Sequence, residues 1–164
     1  MVTKSVFELI VKEADEILNL GPTIVCENDL LKEIVAKVMK NPVADVISVI
    51  RADEVLVGVI PLTKIERDVF RELIPEDFLS EGMVLGKVLR FFKESPVTAR
   101  DLMDRVACVR LDETVSDAFI KMHHNDLGGI PIVSEKNTVV GYLSMIELLA
   151  LWLKAQERPL GNTK

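Results

Sequence analysis

The sequence predicts an α+β fold of two β-α-β-β-α repeats that pack against each other about a pseudo-twofold axis. Three observations predict it. First, "DVISVIRADEVLVGVIPLTKI" (45–65) lies under "GGIPIVSEKNTVVGYLSMIEL" (128–148) without a gap. Ile47 falls on Ile130, Val49 and Ile50 on Ile132 and Val133, Leu56 and Val57 on Val139 and Val140, and Gly58 on Gly141. Second, the match continues upstream after a one-residue shift. "LLKEIVAKVM" and "VSDAFIKM" both carry helical spacing, through Leu31, Ile34, Val35 and Val38 in one and Val115, Ala118, Phe119 and Met122 in the other. Third, a unit of about 50 residues buries too little surface to stand alone, so two related copies in one chain pack on each other.

Taken in order, the chain opens with a helix. Ser5 and Glu8 have capping-box spacing, and Phe7, Ile10, Val11, Ala14, Ile17 and Leu18 form one stripe. Gly21 and Pro22 stop that helix. "TIV" (23–25) reads as a strand, and Asn28 or Asp29 caps the next helix. Two β-rich runs around the polar turn "RADE" then form a hairpin, and a helix follows. "PEDFLSEG" is a loop, and "MVLGKVLRFFKE" a short helix ended by Ser95-Pro96. Val84, Leu85, Val88, Leu89 and Phe92 make its apolar stripe, with Phe91 adjoining. After "TARDLM" the second copy repeats the pattern. "ACV" (107–109) is a strand, Asp112 or Thr114 is a cap, and "SEKN" is the hairpin turn. The helix "IELLALWLKA" carries the one tryptophan, and "RPLGNTK" is a tail. The expected divisions are an N-terminal helix (1–21), a first repeat (22–74), a linker with a short helix (75–97), a second repeat (98–155) and a tail (156–164).

Composition removes several function classes. The 20 Lys and Arg are outnumbered by 26 Asp and Glu, and no basic cluster follows a phosphate backbone, so nucleic acid is not the expected partner. The longest apolar run, "VLVGVIPL" at 55–62, is broken by Gly58 and Pro61 and falls far short of the roughly 18 residues of a membrane span. An acidic N-terminus without a signal-peptide centre reads as cytoplasmic. Cys26 and Cys108 sit at apolar runs and read as free buried thiols. His123 and His124, beside Asp126, are adjacent on a helix and point about 100° apart, a poor chelating geometry, so no metal is expected. Asp53-Glu54 and Glu76-Asp77 read as solvated loop pairs. With no nucleophile elbow, Walker loop or dinucleotide fingerprint, no catalytic residue is assigned.

The second repeat resembles a cystathionine β-synthase (CBS) domain, through "ARDLM", the Ile-Pro-Ile-Val strand and the Val-Val-Gly strand feeding a Ser-led helix. The first repeat matches less closely, with Ser48 where the family has proline. Together they are similar to a CBS pair, or Bateman module, over about residues 20–155. The resemblance implies a non-enzymatic regulatory module, commonly dimeric, whose clefts hold adenosine-containing ligands: AMP, ADP, ATP or S-adenosylmethionine. It also implies that the regulated protein is a separate chain. A ligand-free scaffold serving dimerisation is the competing expectation. Three apolar-faced helices on so small a module favour a homodimer.

The family's ligand signature places a hydroxyl at a helix start and an acid three residues on. Gly141, Ser144 and Glu147 match it, with Glu in place of Asp. A helix N-terminus offers free N–H groups to phosphate, and a carboxylate accepts both hydroxyl protons of a ribose. Ser-x-x-Glu is equally the capping-box pattern, in which Glu147 folds back on the Ser144 N–H. By the family's pairing, Ser144 and Glu147 face Thr23 and the Ala44-Asp45 segment. The other cleft combines Lys64 with Ala107, Gly128 and Ile130-Pro131. There Pro61 and Lys64 replace the hydroxyl and the acid, so at most one good nucleoside site per chain is expected.

Overall fold

A computed structural model describes residues 6–69, 71 and 85–156. Ser5 of the expected first cap, the 75–82 loop with Glu76-Asp77, Met83, Val84 and the tail from 157 lie outside the described residues, as do the side chains of Phe7 and Leu85. The chain forms two compact units, Thr23–Val106 and Met1–Pro22 with Ala107–Lys164.

In the Thr23–Val106 unit, β1 (Thr23–Cys26) runs parallel to β2 (Val46–Ile50), which is antiparallel to β3 (Leu56–Pro61). Helix α2 (Leu31–Val38) connects the parallel strands, as a parallel pair requires. After β3 comes one α-turn, α3 (Leu62–Lys64), which runs into a π-helical stretch Ile65–Val69. Helices α4 (Leu85–Glu94) and α5 (Ala99–Leu102) complete the unit. Val25, Ile47, Val49 and Ile60 from one sheet face meet Leu31 and Ile34 of α2 and Ala99 and Leu102 of α5. Each of the Val, Ile and Leu side chains among these, fully buried, contributes about 1.5–3 kcal/mol.

The other unit repeats this topology. β4 (Val109–Arg110) is parallel to β5 (Gly129–Val133), β5 is antiparallel to β6 (Val139–Ser144), and α6 (Val115–His124) lies between β4 and β5. Helix α7 (Met145–Gln156) follows β6, and α1 (Val11–Leu18) packs against β6 and α6.

The register shows how closely the copies agree. Val46 pairs with Pro61 and Gly129 with Ser144; Val49 pairs with Gly58 and Ile132 with Gly141. Both hairpins carry a bulge at the same place, Val49/Ile50 and Ile132/Val133. Their turns also match, with Arg51 N–H donating to Val55 O and Ser134 N–H to Thr138 O, each at 2.9 Å. An acid near each β–α turn accepts the last strand N–H and binds a helix lysine: Asp29 with Cys26 and Lys37, Glu113 with Arg110 and Lys121.

The repeat extends further upstream than the sequence suggests. Val11, Lys12 and Val115 N–H groups donate to Glu113 O, Leu111 O and Leu9 O. In the other unit Ala99, Arg100 and Leu31 donate in the same way to Asp29 O, Glu27 O and Val97 O. The N-terminal helix therefore stands to β6 as the "TARDLM" segment stands to β3. Each segment passes close over a glycine. A β-carbon on Gly58 would lie 2.7 Å from Asp104 O and Met103 Sδ, and one on Gly141 2.7 Å from Asp15 Oδ1. This close approach is why both third strands carry glycine there.

Several element ends differ from expectation. Helix α1 begins at Val11, where Glu13 accepts the Ile10 N–H at 3.1 Å, and it ends at Asn19 in the left-handed conformation (φ 48°), ahead of Gly21-Pro22. Asparagine tolerates that conformation and closes the helix first. Helix α2 is preceded by Leu30, not Asn28 or Asp29, because Asp29 is committed to Cys26 N–H and Glu33 takes the Leu30 N–H. Thr114 does cap α6, accepting from Asp117 N–H at 3.1 Å. The strand expected at 107–109 begins at Val109. Cys26 is exposed rather than buried.

Candidate functional site: the head of the last helix

Ser144 is the last residue of β6, and Glu147 lies in the first turn of α7. The chain turns from strand to helix there because β6 alternates through Tyr142 and Ser144 while "MIELLALWLKA" is rich in strong helix formers. Ser144 is 2% exposed, and its hydroxyl donates to Glu147 Oε2 at 3.1 Å. The contact joins side chain to side chain, which differs from the capping-box bond in which Glu147 would accept the Ser144 N–H. The Met145 N–H, one of the unpaired donors of a helix start, goes to Gly128 O at 2.8 Å. Glu147 keeps partial exposure and sits where the helix dipole favours an anion.

Within the same unit, Ile130 and Ala107 are buried, and Pro131 is buried opposite Tyr142. Gly128 is exposed, while Gly129 is buried, and a β-carbon there would run into the Tyr142 hydroxyl and ring. Gly129 is thus explained by the tyrosine above it. Tyr142 was not singled out from the sequence. The available signal was alternation: two residues before Ser144 in a strand, it must share Ser144's sheet face.

In the Thr23–Val106 unit, Thr23 opens β1 opposite Ile47, on the face that carries Val25 and Val49. It is 4% exposed, and among the described residues its hydroxyl has no hydrogen-bond partner. Ala44 is buried, and exposed Asp45 gives its carbonyl to Leu62 N–H at 2.8 Å. That bond is the counterpart of Met145 N–H to Gly128 O. Lys64 is engaged: its Nζ lies 2.6 Å from Asp104 Oδ1. His123 and His124 are exposed, with ring centroids 6.1 Å apart, and no group of three His, Cys, Asp or Glu gathers for a metal among the described residues. No helix among the described residues is long and apolar enough to cross a membrane.

Residues 99–154 match the CBS domain family model. The chain has the tandem CBS-domain architecture of a Bateman module. It is similar to a CBS domain-containing protein from Thermotoga maritima, with 26% identity over 92% of this chain and 99% of that one, at a TM-score of 0.71. It is also similar in fold to the CBS domain pair of protein MJ0100 (21% identity, 90% of this chain, 98% of that one, TM-score 0.62), which was solved in complex with 5′-methylthioadenosine and S-adenosyl-L-methionine. CBSX2, solved in complex with AMP, shares 18% identity over 82% of this chain and 89% of that one, at a TM-score of 0.57. No curated protein sequence matches. CBS modules are non-catalytic, and this architecture is a non-enzymatic one.

Proposed function

We propose that this CBS pair is a regulatory module that binds one adenosine-containing ligand (AMP, ADP, ATP or S-adenosylmethionine) at the head of α7 and passes the ligand state to a separate protein in the cytoplasm. The observation that carries this reading is the Ser144–Glu147 pair: a hydroxyl and a partly exposed carboxylate, 3.1 Å apart, at a helix start. A ribose would take the Glu147 carboxylate through its two hydroxyls and release the serine toward a phosphate or sugar oxygen. Thr23, Ala44 and Asp45 supply the remaining contacts in this reading. The unpartnered Thr23 hydroxyl supports that role, since burying it without a partner costs about 1–3 kcal/mol in the absence of ligand. Lys64, already paired with Asp104, supports a single site per chain. The complexes of MJ0100 and CBSX2 support the ligand class.

The functional unit we propose is a homodimer. Ile146, Leu149 and Leu153 recur at helical spacing on α7 and are exposed, a stripe suited to a second copy. Ligand binding would favour one arrangement of the module, and the dimer would present it to the regulated partner.

A thermal-shift series with AMP, ADP, ATP and S-adenosylmethionine tests the reading, because a ligand that binds the folded state raises the midpoint. Glu147→Ala should abolish the rise while leaving the ligand-free midpoint nearly unchanged. If no ligand shifts the wild type and Glu147→Ala lowers the ligand-free midpoint, the pair is a local helix-start device and the chain a ligand-free scaffold. That second reading is favoured by the Ser144–Glu147 bond closing on itself.

A further inference from the structure

We propose that the outer face of α2 and α4 is a docking surface for an acidic amphipathic helix of the regulated protein. The proposal extends the regulatory reading by giving its partner a chemistry, and it needs no bound ligand. Helix α4 packs beside α2 within the Thr23–Val106 unit, so the fold joins two helices that lie far apart in the chain. Residues 31–40 and 85–94 hold six of the chain's 20 Lys and Arg but only two of its 26 Asp and Glu. Of those two acids, Glu33 is committed to the Leu30 N–H, and Lys37 takes its counter-ion from Asp29. The side chains of Lys32, Lys40, Arg90 and Lys93 are exposed and enter no ion pair or hydrogen bond among the described residues. Apolar groups lie among these cations. Val35 and Met39 are one helical turn apart and exposed, Met39 at 71%. On α4, Val88 is buried and Phe92 packs against the core, which leaves Leu89 59% exposed, one turn before Lys93.

The second repeat shows that the fold does not need this surface. The offset that sets Asp29 on Glu113 and Lys37 on Lys121 sets Lys32 on Ser116, Met39 on His123 and Lys40 on His124. The one lysine of α6, Lys121, is already paired with Glu113. The free cations therefore belong to the first repeat alone. An acidic helix with leucines on one face matches both features of the surface. Its carboxylates meet the four cations while its leucines cover Val35, Met39 and Leu89. A phosphate backbone would leave those apolar groups uncovered, and a lipid surface would call on the broad apolar face that α4 has already turned to the core. In a chain of net charge −6, a lone basic face also steers an acidic partner to one place.

The probe is a fluorescein-labelled peptide of about 18 residues, long enough to be helical, with Leu at i, i+3, i+4 and i+7, Glu on its flanks and Ala elsewhere. Fluorescence anisotropy on the full chain should record binding without nucleotide, weakening steeply with added salt. The double variant Arg90→Glu, Lys93→Glu should weaken binding by about tenfold or more, and so should Met39→Ser with Leu89→Ser. Ile120→Ser on α6, also an exposed apolar position, should leave it unchanged. All five side chains are exposed, so the unfolding midpoints should stay near wild type. The proposal is overturned if the peptide does not bind, or binds both double variants like wild type. It is equally overturned if phosphatidylserine vesicles or duplex DNA displace the peptide with the same dependence on these four residues, or if sedimentation shows that the four hold two copies of the chain together. The thermal-shift series reports on the adenosyl ligand separately, so either reading can fail alone.

Discussion

Lys64 Nζ sits 2.6 Å from Asp104 Oδ1, at the helix position where the second repeat carries Glu147. The neighbouring backbone holds Asp104 in place, since Asp104 N–H donates to Val59 O at 2.8 Å. The first repeat has thereby replaced an acid with a cation and supplied its own counter-ion. Both side chains are partly exposed, so the pair contributes no more than about 1 kcal/mol. Lys64→Ala should therefore shift the unfolding midpoint by a few degrees at most and leave calorimetric stoichiometry at one ligand per chain. A variant that lost ligand binding would place Lys64 in the site.

Ser48 is 0% exposed, and among the described residues its hydroxyl has no hydrogen-bond partner. The second repeat has Pro131 at this register position, so no polar group is buried there. An orphaned hydroxyl costs about 1–3 kcal/mol. Ser48→Ala should raise the midpoint by about 2–4 °C per kcal/mol recovered in a chain of this size, without altering ligand affinity. Thr23→Val removes the other orphaned hydroxyl and should separate the two roles: a higher midpoint without ligand, and weaker binding of the ligand that stabilises the wild type. Unchanged binding by Thr23→Val would remove Thr23 from the site.

The two hairpin turns place Glu54 and Asn137 at the same point, with φ of 65° and 60°. Asparagine adopts that left-handed conformation readily; glutamate carries a cost of about 1–2 kcal/mol for its β-carbon. Glu54→Asn is expected to raise stability by a fraction of that cost in a urea titration, at unchanged m-value, because Arg51 and Asp53 keep their own ion pair. A lower midpoint would mean that Glu54 makes a compensating contact.

The duplication was legible wherever both copies bury the same face. Ile47 and Ile130, Val49 and Ile132, and the two glycines align because burial constrains side-chain type, and the one-residue offset at the helices recurs in the strand pairing, Val25 with Val49 against Val109 with Ile132. The repeated lead-in was not legible. Leu9, Val11 and Lys12 make the same backbone hydrogen bonds as Val97, Ala99 and Arg100, and main-chain bonds leave almost no trace in side-chain identity. At the site, the Ser144 and Glu147 spacing was readable because it is local. The hold of Asp104 on Lys64 and the fit of Tyr142 over Gly129 join residues whose proximity is fixed only by strand register.

Asp15 lies against Gly141 on α1, and burial raises its carboxyl from its ordinary value; the Tyr142 N–H partly offsets this, and Glu16 beside it adds a smaller upward push. A carboxyl whose folded value is raised binds its proton more readily in the folded state. Its contribution is therefore favourable at low pH and is lost as pH rises from the unfolded value through the folded one. Asp15→Asn cannot ionise, yet its side-chain carbonyl can still accept the Tyr142 N–H. At pH 7 the variant should unfold at a higher temperature than wild type, and the gap should narrow as pH falls through the carboxylate range. A gap constant with pH would show that the charge on Asp15 carries no cost, leaving packing against Gly141 as its role.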